Sequence, residues 1–146
     1  MKRRLVFGVL ITVCATALLC SAKKEESLAE LKQRADSAKQ QEQPHLYIDV
    51  ADRQLETATA KFDSGDVGAA QAAVEDVATY GGKAAEAAVQ SRKDMKKTEI
   101  SLRKIVIKLR DLKRSVSFED RKPIQTAIDD LEKMRTKLLT RMFAKD

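Results

Sequence analysis

The sequence predicts an all-α fold, an elongated antiparallel helical bundle built on one long central helix. Two observations support this fold class. First, hydrophobic residues make up 43% of the 146 residues but aromatic residues only 4%, and the chain contains five glycines and two prolines. A core poor in aromatic side chains disfavours a β-sandwich, whose strands need β-branched and aromatic residues. Few glycines and prolines also mean few turns, so long helices are expected.

The second observation is a heptad seam, a line of mostly apolar positions three and four residues apart that runs from Val67 to Val116. A seam that keeps its register predicts one continuous helix, or two helices sharing an axis, over about residues 66–116. Gly81 and Gly82 interrupt it, and each costs about 1 kcal/mol relative to alanine in a helix. Because the register is the same on both sides, we expect a kink or a close helix crossing there and no loop. The seam consists of Val67, Ala70, Val74, Val77, Gly81, Ala84, Ala88, Ser91, Met95, Thr98, Leu102, Ile105, Leu109, Leu112 and Val116.

Residues 1–22 have the three parts of a secretory signal peptide. A basic start at residues 2–4 precedes an apolar run over residues 5–19, and small residues follow at positions 20–22. This pattern predicts export to a periplasmic or extracellular location, with cleavage after Ala22.

Two other outcomes stay open for this segment. Cys20 could be a lipidated first residue, although Leu19 stands before it where a bacterial lipobox has a small side chain. The segment could also remain as an uncleaved membrane anchor, and these are the two routes by which we expect membrane contact. Both cysteines lie in this segment, so a chain cleaved after Ala22 has no disulfide and must be held together by helix packing.

Residues 23–44 are rich in Glu, Lys and Gln, and they are expected to form a charged spacer or a marginal helix. Pro44 should end any helix before it, because the residue preceding a proline avoids the α region. The helical domain is therefore assigned to residues 45–146. The weak apolar stripe of the spacer consists of Leu28, Leu31, Ala35 and Ala38.

The first helix of the domain is predicted over about residues 45–64. Gly65 can then adopt the left-handed conformation that closes a helix, and Asp66 can cap the next one. A link this short permits only an antiparallel hairpin. The apolar face of this helix consists of Tyr47, Ala51, Leu55, Ala58 and Phe62.

The residues around this turn, from Phe62 to Ala70, are similar to the middle of a tetratricopeptide repeat. In that family an aromatic residue, a Gly-Asp turn and a following alanine allow two helices to pack closely. The resemblance extends from Ala58 to Val77 and implies a close helical hairpin. The chain has no second copy at the ~34-residue period of such arrays, so no peptide-binding groove is implied.

The last helix is predicted over about residues 120–143, because Pro123 is tolerated only in the first turn of a helix. Its short connection predicts that it folds back antiparallel on residues 95–112. In the same way, residues 45–64 should fold back on the first half of the seam. The apolar face of the last helix consists of Ile124, Ala127, Ile128, Leu131, Met134, Leu138 and Met142.

No arrangement of residues typical of an active site is found. His45 is the only histidine, so a metal site with two histidine ligands is excluded, and we expect this side chain at the surface. No cysteine follows residue 22, and adjacent acidic pairs such as Glu75-Asp76 diverge on a helix. The sequence therefore predicts a protein that is not an enzyme and uses no cofactor or metal.

The clearest candidate site is a basic stripe between residues 92 and 114. Charges at these positions can be the solvated face of a helix, or they can contact polyanions such as lipid headgroups, anionic envelope polymers or an acidic protein. Nucleic acid is not expected, because the chain has a secretory signal and the stripe has no interleaved aromatic residues. The candidate contact residues are Arg92, Lys93, Lys96, Lys97, Arg103, Lys104 and Arg110.

Two functions from different classes follow from these features. The leading prediction is an exported, non-enzymatic structural or protein-interaction module of the cell envelope. The alternative is an electrostatic binder of anionic envelope surfaces or polymers through the basic stripe.

The charge is divided along the chain. Residues 25–90 contain six basic and 13 acidic residues, net −7, whereas residues 91–146 contain 17 basic and nine acidic residues, net +8. Two antiparallel copies could pair residues 92–114 of one with acidic residues of the other, with residues 102–116 supplying an apolar contact. A homodimer is therefore a further expectation, and its acidic partners would be Glu75, Asp76 and Glu86.

Overall fold

The computed structural model describes residues 26–144, which form five helices and no strand. Helices account for 84% of these residues, so the all-α fold class is confirmed. The predicted signal peptide, with Cys20, lies outside the described residues. The helices are α1 (Leu28–Ser37), α2 (Gln43–Asp63), α3 (Val67–Ser91), α4 (Met95–Ser115) and α5 (Arg121–Phe143).

The core is built from two antiparallel hairpins, α2–α3 and α4–α5, stacked so that α3 packs on α5 and α2 packs on α4. Arg110 on α4 pairs with Glu132 on α5 at 2.9 Å, and Lys108 on α4 pairs with Asp52 on α2 at the same distance. The apolar faces of these four helices meet in one buried cluster. The expectation that the last helix folds back on residues 95–112 is confirmed.

The predicted continuous helix over residues 66–116 is wrong. α3 ends at Ser91 and α4 begins at Met95, and between them Arg92 (φ 51°) and Asp94 (φ 56°) are both left-handed. The chain reverses there, so α4 runs back along the bundle and does not extend α3. The seam keeps its register across this reversal because both helices turn their apolar residues to the same core.

α3 continues without interruption through Gly81 and Gly82, and the close crossing expected at Gly81 is confirmed. A Cβ atom added to Gly81 would overlap Leu131 Cδ2 and lie 3.2 Å from Leu102 Cδ2. The missing side chain therefore lets α4 and α5 both approach α3 at this level.

For residues 23–44 the sequence allows a charged spacer or a marginal helix, and the structure contains the helix. This helix, α1, belongs to the bundle. Ser27 and Glu30 form a capping box, in which Glu30 N donates to Ser27 Oγ at 3.2 Å and Ser27 N donates to Glu30 Oε2 at 2.8 Å. Accepting this backbone hydrogen bond lowers the pKa of the Glu30 carboxyl. Leu31 and Ala35 are completely buried, so α1 contributes to the core.

A polar and aromatic cluster attaches α1 to the first hairpin. The Tyr47 hydroxyl donates to Asp36 Oδ1 at 3.0 Å, and Lys83 Nζ donates to the same oxygen at 3.2 Å. Lys83 Nζ also lies 5.4 Å from the ring centroid of Tyr47 and 4.8 Å from that of Tyr80, within the range of cation–π attraction. Burial, together with the hydrogen bond to the Asp36 carboxylate, raises the pKa of Tyr47 to about 12.

The turn between α2 and α3 has the predicted geometry. Gly65 is left-handed with φ 78°, Asp66 N donates to Lys61 O at 2.9 Å, and Gly65 N donates to Phe62 O at 3.0 Å. These two bonds form a Schellman motif, which satisfies carbonyl groups at the end of α2. Ala69 N donates to Asp66 Oδ1 at 3.3 Å, so Asp66 caps α3 as predicted.

We expect Gly65→Val to lower the free energy of unfolding by about 1 kcal/mol or more, because a β-branched side chain is strained at positive φ. Gly68→Ala is the matched control. Gly68 lies inside α3 with no neighbouring atom within 4 Å of an added Cβ, so alanine should be neutral or stabilise by up to about 1 kcal/mol. Urea denaturation measures both variants, and equal effects at the two glycines would contradict the assignment of the turn.

The start of the last helix agrees with the prediction to within one residue. Asp120 occupies the N-cap position and Pro123 lies in the first turn, where its missing N–H costs no hydrogen bond. Five of the seven predicted apolar residues on this helix are buried, namely Ile124, Ala127, Ile128, Leu131 and Leu138.

Candidate functional site

The basic stripe predicted from the sequence lies on the second hairpin and on the link that precedes it. All seven candidate residues are exposed. Three of them have polar partners within the chain. Lys93 Nζ donates to Gln41 Oε1 at 3.0 Å, Lys97 pairs with Asp94 at 3.2 Å, and Arg110 forms its pair with Glu132. The candidates are Arg92, Lys93, Lys96, Lys97, Arg103, Lys104 and Arg110.

The other four candidates, Arg92, Lys96, Arg103 and Lys104, form no ion pair with any residue between 26 and 144. A charge with no internal partner keeps its full capacity to attract an external anion, whereas a paired charge is partly neutralised. These four residues, called the free bases below, are the electrostatic centre of the site.

Two isoleucines lie between the bases on the side of α4 that faces away from the core. Lys96, Ile100, Arg103, Ile107 and Arg110 alternate four and three residues apart, so they form one line along the helix. Ile107 is 50% exposed and Ile100 is partly buried. We call this line the outer face of α4. Neither isoleucine is among the candidate residues predicted from the sequence, although their seven-residue spacing is a usable signal.

The division of charge follows the layers of the bundle. α4 contains eight basic and two acidic residues, and α5 contains six basic and three acidic residues. In the other hairpin, α2 contains two basic and four acidic residues, and α3 contains one basic and three acidic residues. The molecule therefore presents a basic hairpin, residues 95–143, on one side and an acidic hairpin, residues 43–91, on the other.

The basic hairpin also carries the exposed large hydrophobic side chains. Between residues 26 and 144 these are Ile107, Phe118 and Phe143, and the two phenylalanines are 80% and 77% exposed. Phe118 lies in the link between α4 and α5, where Arg121 Cζ stands 6.0 Å from its ring centroid. Phe143 is the last residue of α5.

Two grooves open at the end of the bundle where α4 begins. One, of about 720 Å³, lies between the first turns of α2 and α4, and its charged lining residues are Arg34, Glu42, Asp94 and Lys97. Equal numbers of acidic and basic groups give this groove no preference for one sign of charge. The other, of about 460 Å³, lies between the last turns of α3 and α5 and has an apolar floor of Ala85, Val89, Met134 and Leu138.

Residues 26–144 contain no group of three or more His, Cys, Asp or Glu side chains placed to hold a metal ion. His45 is exposed, as predicted, and its Nε2 lies 3.6 Å from Asp49 Oδ2. None of the helices in this part of the chain combines the length and the apolar character needed to cross a membrane.

The apolar contact proposed for a homodimer is not available. Leu102, Ile105 and Leu109 are completely buried in the core of one molecule, so they cannot face a second copy. Of the acidic partners in that arrangement, Asp76 already accepts hydrogen bonds from Lys32 and Gln54. A homodimer would have to use other surfaces.

Comparison of the chain with protein families, with curated proteins and with solved structures finds no match.

Proposed function

We propose that the protein is an exported, non-enzymatic interaction module of the cell envelope that binds an anionic partner through its basic hairpin. Export rests on the signal-peptide pattern of residues 1–22. The observation that carries the binding surface is the set of four free bases, which stand on α4 and the preceding link while neighbouring bases are paired internally. The resemblance of the α2–α3 hairpin to a tetratricopeptide repeat remains a prediction about packing and does not enter this proposal.

Two features support an anionic partner over a neutral one. Three of the free bases lie on the basic hairpin and Arg92 lies on the link directly before it, so the positive field of that hairpin adds to the local attraction. Asp52 of α2 pairs with Lys108 on α4. Within residues 26–144 the other acidic residues of α2 and α3 form no ion pair with the basic hairpin, so they orient the molecule without neutralising the free bases.

Cosedimentation with purified envelopes at low and high salt tests this proposal. We expect the wild-type protein to bind at low salt and to be released at high salt, because salt screens exposed charges. The variant Arg103→Glu/Lys104→Glu should bind at least tenfold more weakly. The control Lys39→Glu reverses an exposed charge on the link between α1 and α2 and should leave binding unchanged.

Salt-insensitive binding by all of these proteins would instead support the structural or protein-interaction module, which would use an apolar contact. If none of them binds envelopes at any salt concentration, the proposed function is wrong.

A further inference from the structure

We propose that the anionic partner is the headgroup surface of a lipid bilayer, against which the basic hairpin lies with Phe118, Ile107 and Phe143 in the interfacial region. This inference rests on the proposed function and names the partner of the same surface.

The exposed hydrophobic residues are distributed over the length of the basic hairpin. α4 has 21 residues and is therefore about 30 Å long. Phe118 follows one end of it, Ile107 lies near its middle, and Phe143 ends the antiparallel helix α5 at the opposite end of the hairpin. The three side chains are thus spread along the hairpin and do not form one cluster.

This spacing discriminates between a protein partner and a bilayer. A protein interface concentrates its binding energy in a few anchors packed together near the centre of the contact. A bilayer accepts apolar side chains one at a time, and aromatic residues favour the depth of the headgroups. Isolated phenylalanines on a basic surface therefore fit a lipid interface better than a protein interface.

The two isoleucines of α4 are flanked by basic side chains. Arg103 stands between Ile100 and Ile107 on the outer face of α4, so its guanidinium can reach phosphate groups while the isoleucines contact the interface. Lys104 follows it and is also a free base. Each basic side chain near an anionic membrane strengthens binding by about fivefold.

The acidic residues next to Phe118 do not cancel this attraction. Glu119 and Asp120 follow Phe118, but Arg121 and Lys122 come directly after them, so the local charge is balanced. Asp120 also accepts a hydrogen bond from Ser117 Oγ at 2.6 Å. The excess of positive charge on α4 then determines which side of the molecule turns towards the lipid.

A tryptophan reporter can test the inference directly, because the chain contains no natural tryptophan. The variants Phe118→Trp and Phe143→Trp place the reporter on the basic hairpin, and Thr79→Trp is the control on the exposed surface of α3. Each is mixed with vesicles of phosphatidylglycerol and phosphatidylcholine, or of phosphatidylcholine alone. We expect a blue shift and quenching by brominated lipid at the two hairpin positions, only with phosphatidylglycerol, and neither effect at Thr79→Trp.

Vesicle cosedimentation measures how strongly each variant binds. The full chain is used, so that every variant has the same amino terminus. Arg103→Glu/Lys104→Glu should lower vesicle binding at least tenfold, Phe118→Ser/Phe143→Ser should lower it severalfold, and Lys39→Glu should have no effect. Circular dichroism checks that each variant is folded.

Three outcomes would overturn the inference. Equal binding to both vesicle types would remove the role of charge, and equal binding by every variant would place the membrane contact in the amino-terminal segment. Binding to purified envelopes or to dextran sulfate without binding to vesicles would leave the proposed function intact and exclude the bilayer. Failure to bind any of these anionic surfaces would contradict both proposals.

Discussion

Replacing Glu99 with alanine is expected to lower the free energy of unfolding by about 2–4 kcal/mol, because the change leaves a largely buried guanidinium without its main partner. The Glu99 side chain is 11% exposed and that of Arg135 is 16% exposed. Arg135 donates to Glu99 Oε1 from Nη2 at 2.6 Å and from Nε at 3.2 Å. Arg135 keeps a second partner, Glu132 at 2.8 Å, so the loss should fall below that of a fully isolated buried charge.

Two variants make this prediction specific. Asp111→Ala removes an exposed partner of Arg114 on the same helix, and we expect it to change stability by less than about 0.5 kcal/mol. The double variant Glu99→Leu/Arg135→Leu removes both charges and should recover much of the loss, since apolar residues can replace a buried ion pair. Thermal or urea denaturation measures all three proteins. A loss at Glu99→Ala no larger than at Asp111→Ala would show that the pair does not join α4 to α5.

The sequence predicted the features that local chemistry determines. The left-handed Gly65, the cap at Asp66 and the position of Pro123 each follow from one residue type with a narrow conformational preference. The all-α fold class follows from composition and from helical periodicity, and neither depends on knowing which helices touch.

The break between α3 and α4 could not be predicted in this way. Arg92 and Asp94 adopt left-handed conformations without a glycine or a proline to indicate them, and tertiary packing must compensate the local strain. Periodicity along one chain also cannot distinguish a continuous helix from two helices that face the same core. Gly81 and Gly82 are the residues that indicate an interruption in the sequence, but they lie within an uninterrupted helix because α5 occupies the space beside them.

The candidate site was predicted in part. Sequence alone identifies a basic stripe, but it cannot determine which bases find acidic partners on other helices. Lys108 and Arg110 are neutralised by Asp52 and Glu132, which are far away in sequence, whereas Arg103 stays free. The burial of α1 depends in the same way on the surface formed by α2 and α3, and its weak apolar stripe gave no sign of that surface.

Gly81→Val is expected to lower the free energy of unfolding by about 3 kcal/mol, at the upper end of the cost of overpacking a core. The first atom added would already overlap Leu131 Cδ2 and would lie 3.2 Å from Leu102 Cδ2, and valine adds two more methyl groups to this space. Both leucines are completely buried, so neither can move into solvent. The gain in helix propensity over glycine, about half a kcal/mol, is too small to offset this clash.

Gly82→Val is the matched control, one residue further along the same helix. Its nearest neighbour is the terminal methyl of Met134, 4.0 Å from an added Cβ, and methionine adapts readily to a new shape. We expect this variant to change stability by less than about 1 kcal/mol. Leu131→Ala alone should cost about 2–5 kcal/mol, because Leu131 is completely buried. The double variant Gly81→Val/Leu131→Ala should nevertheless lose less stability than the sum of the two single variants, because the truncation removes the methyl groups that clash. Equal losses at the two glycines, or additive losses in the double variant, would contradict the close packing of α5 against α3 at this level and leave the loss to backbone effects within α3.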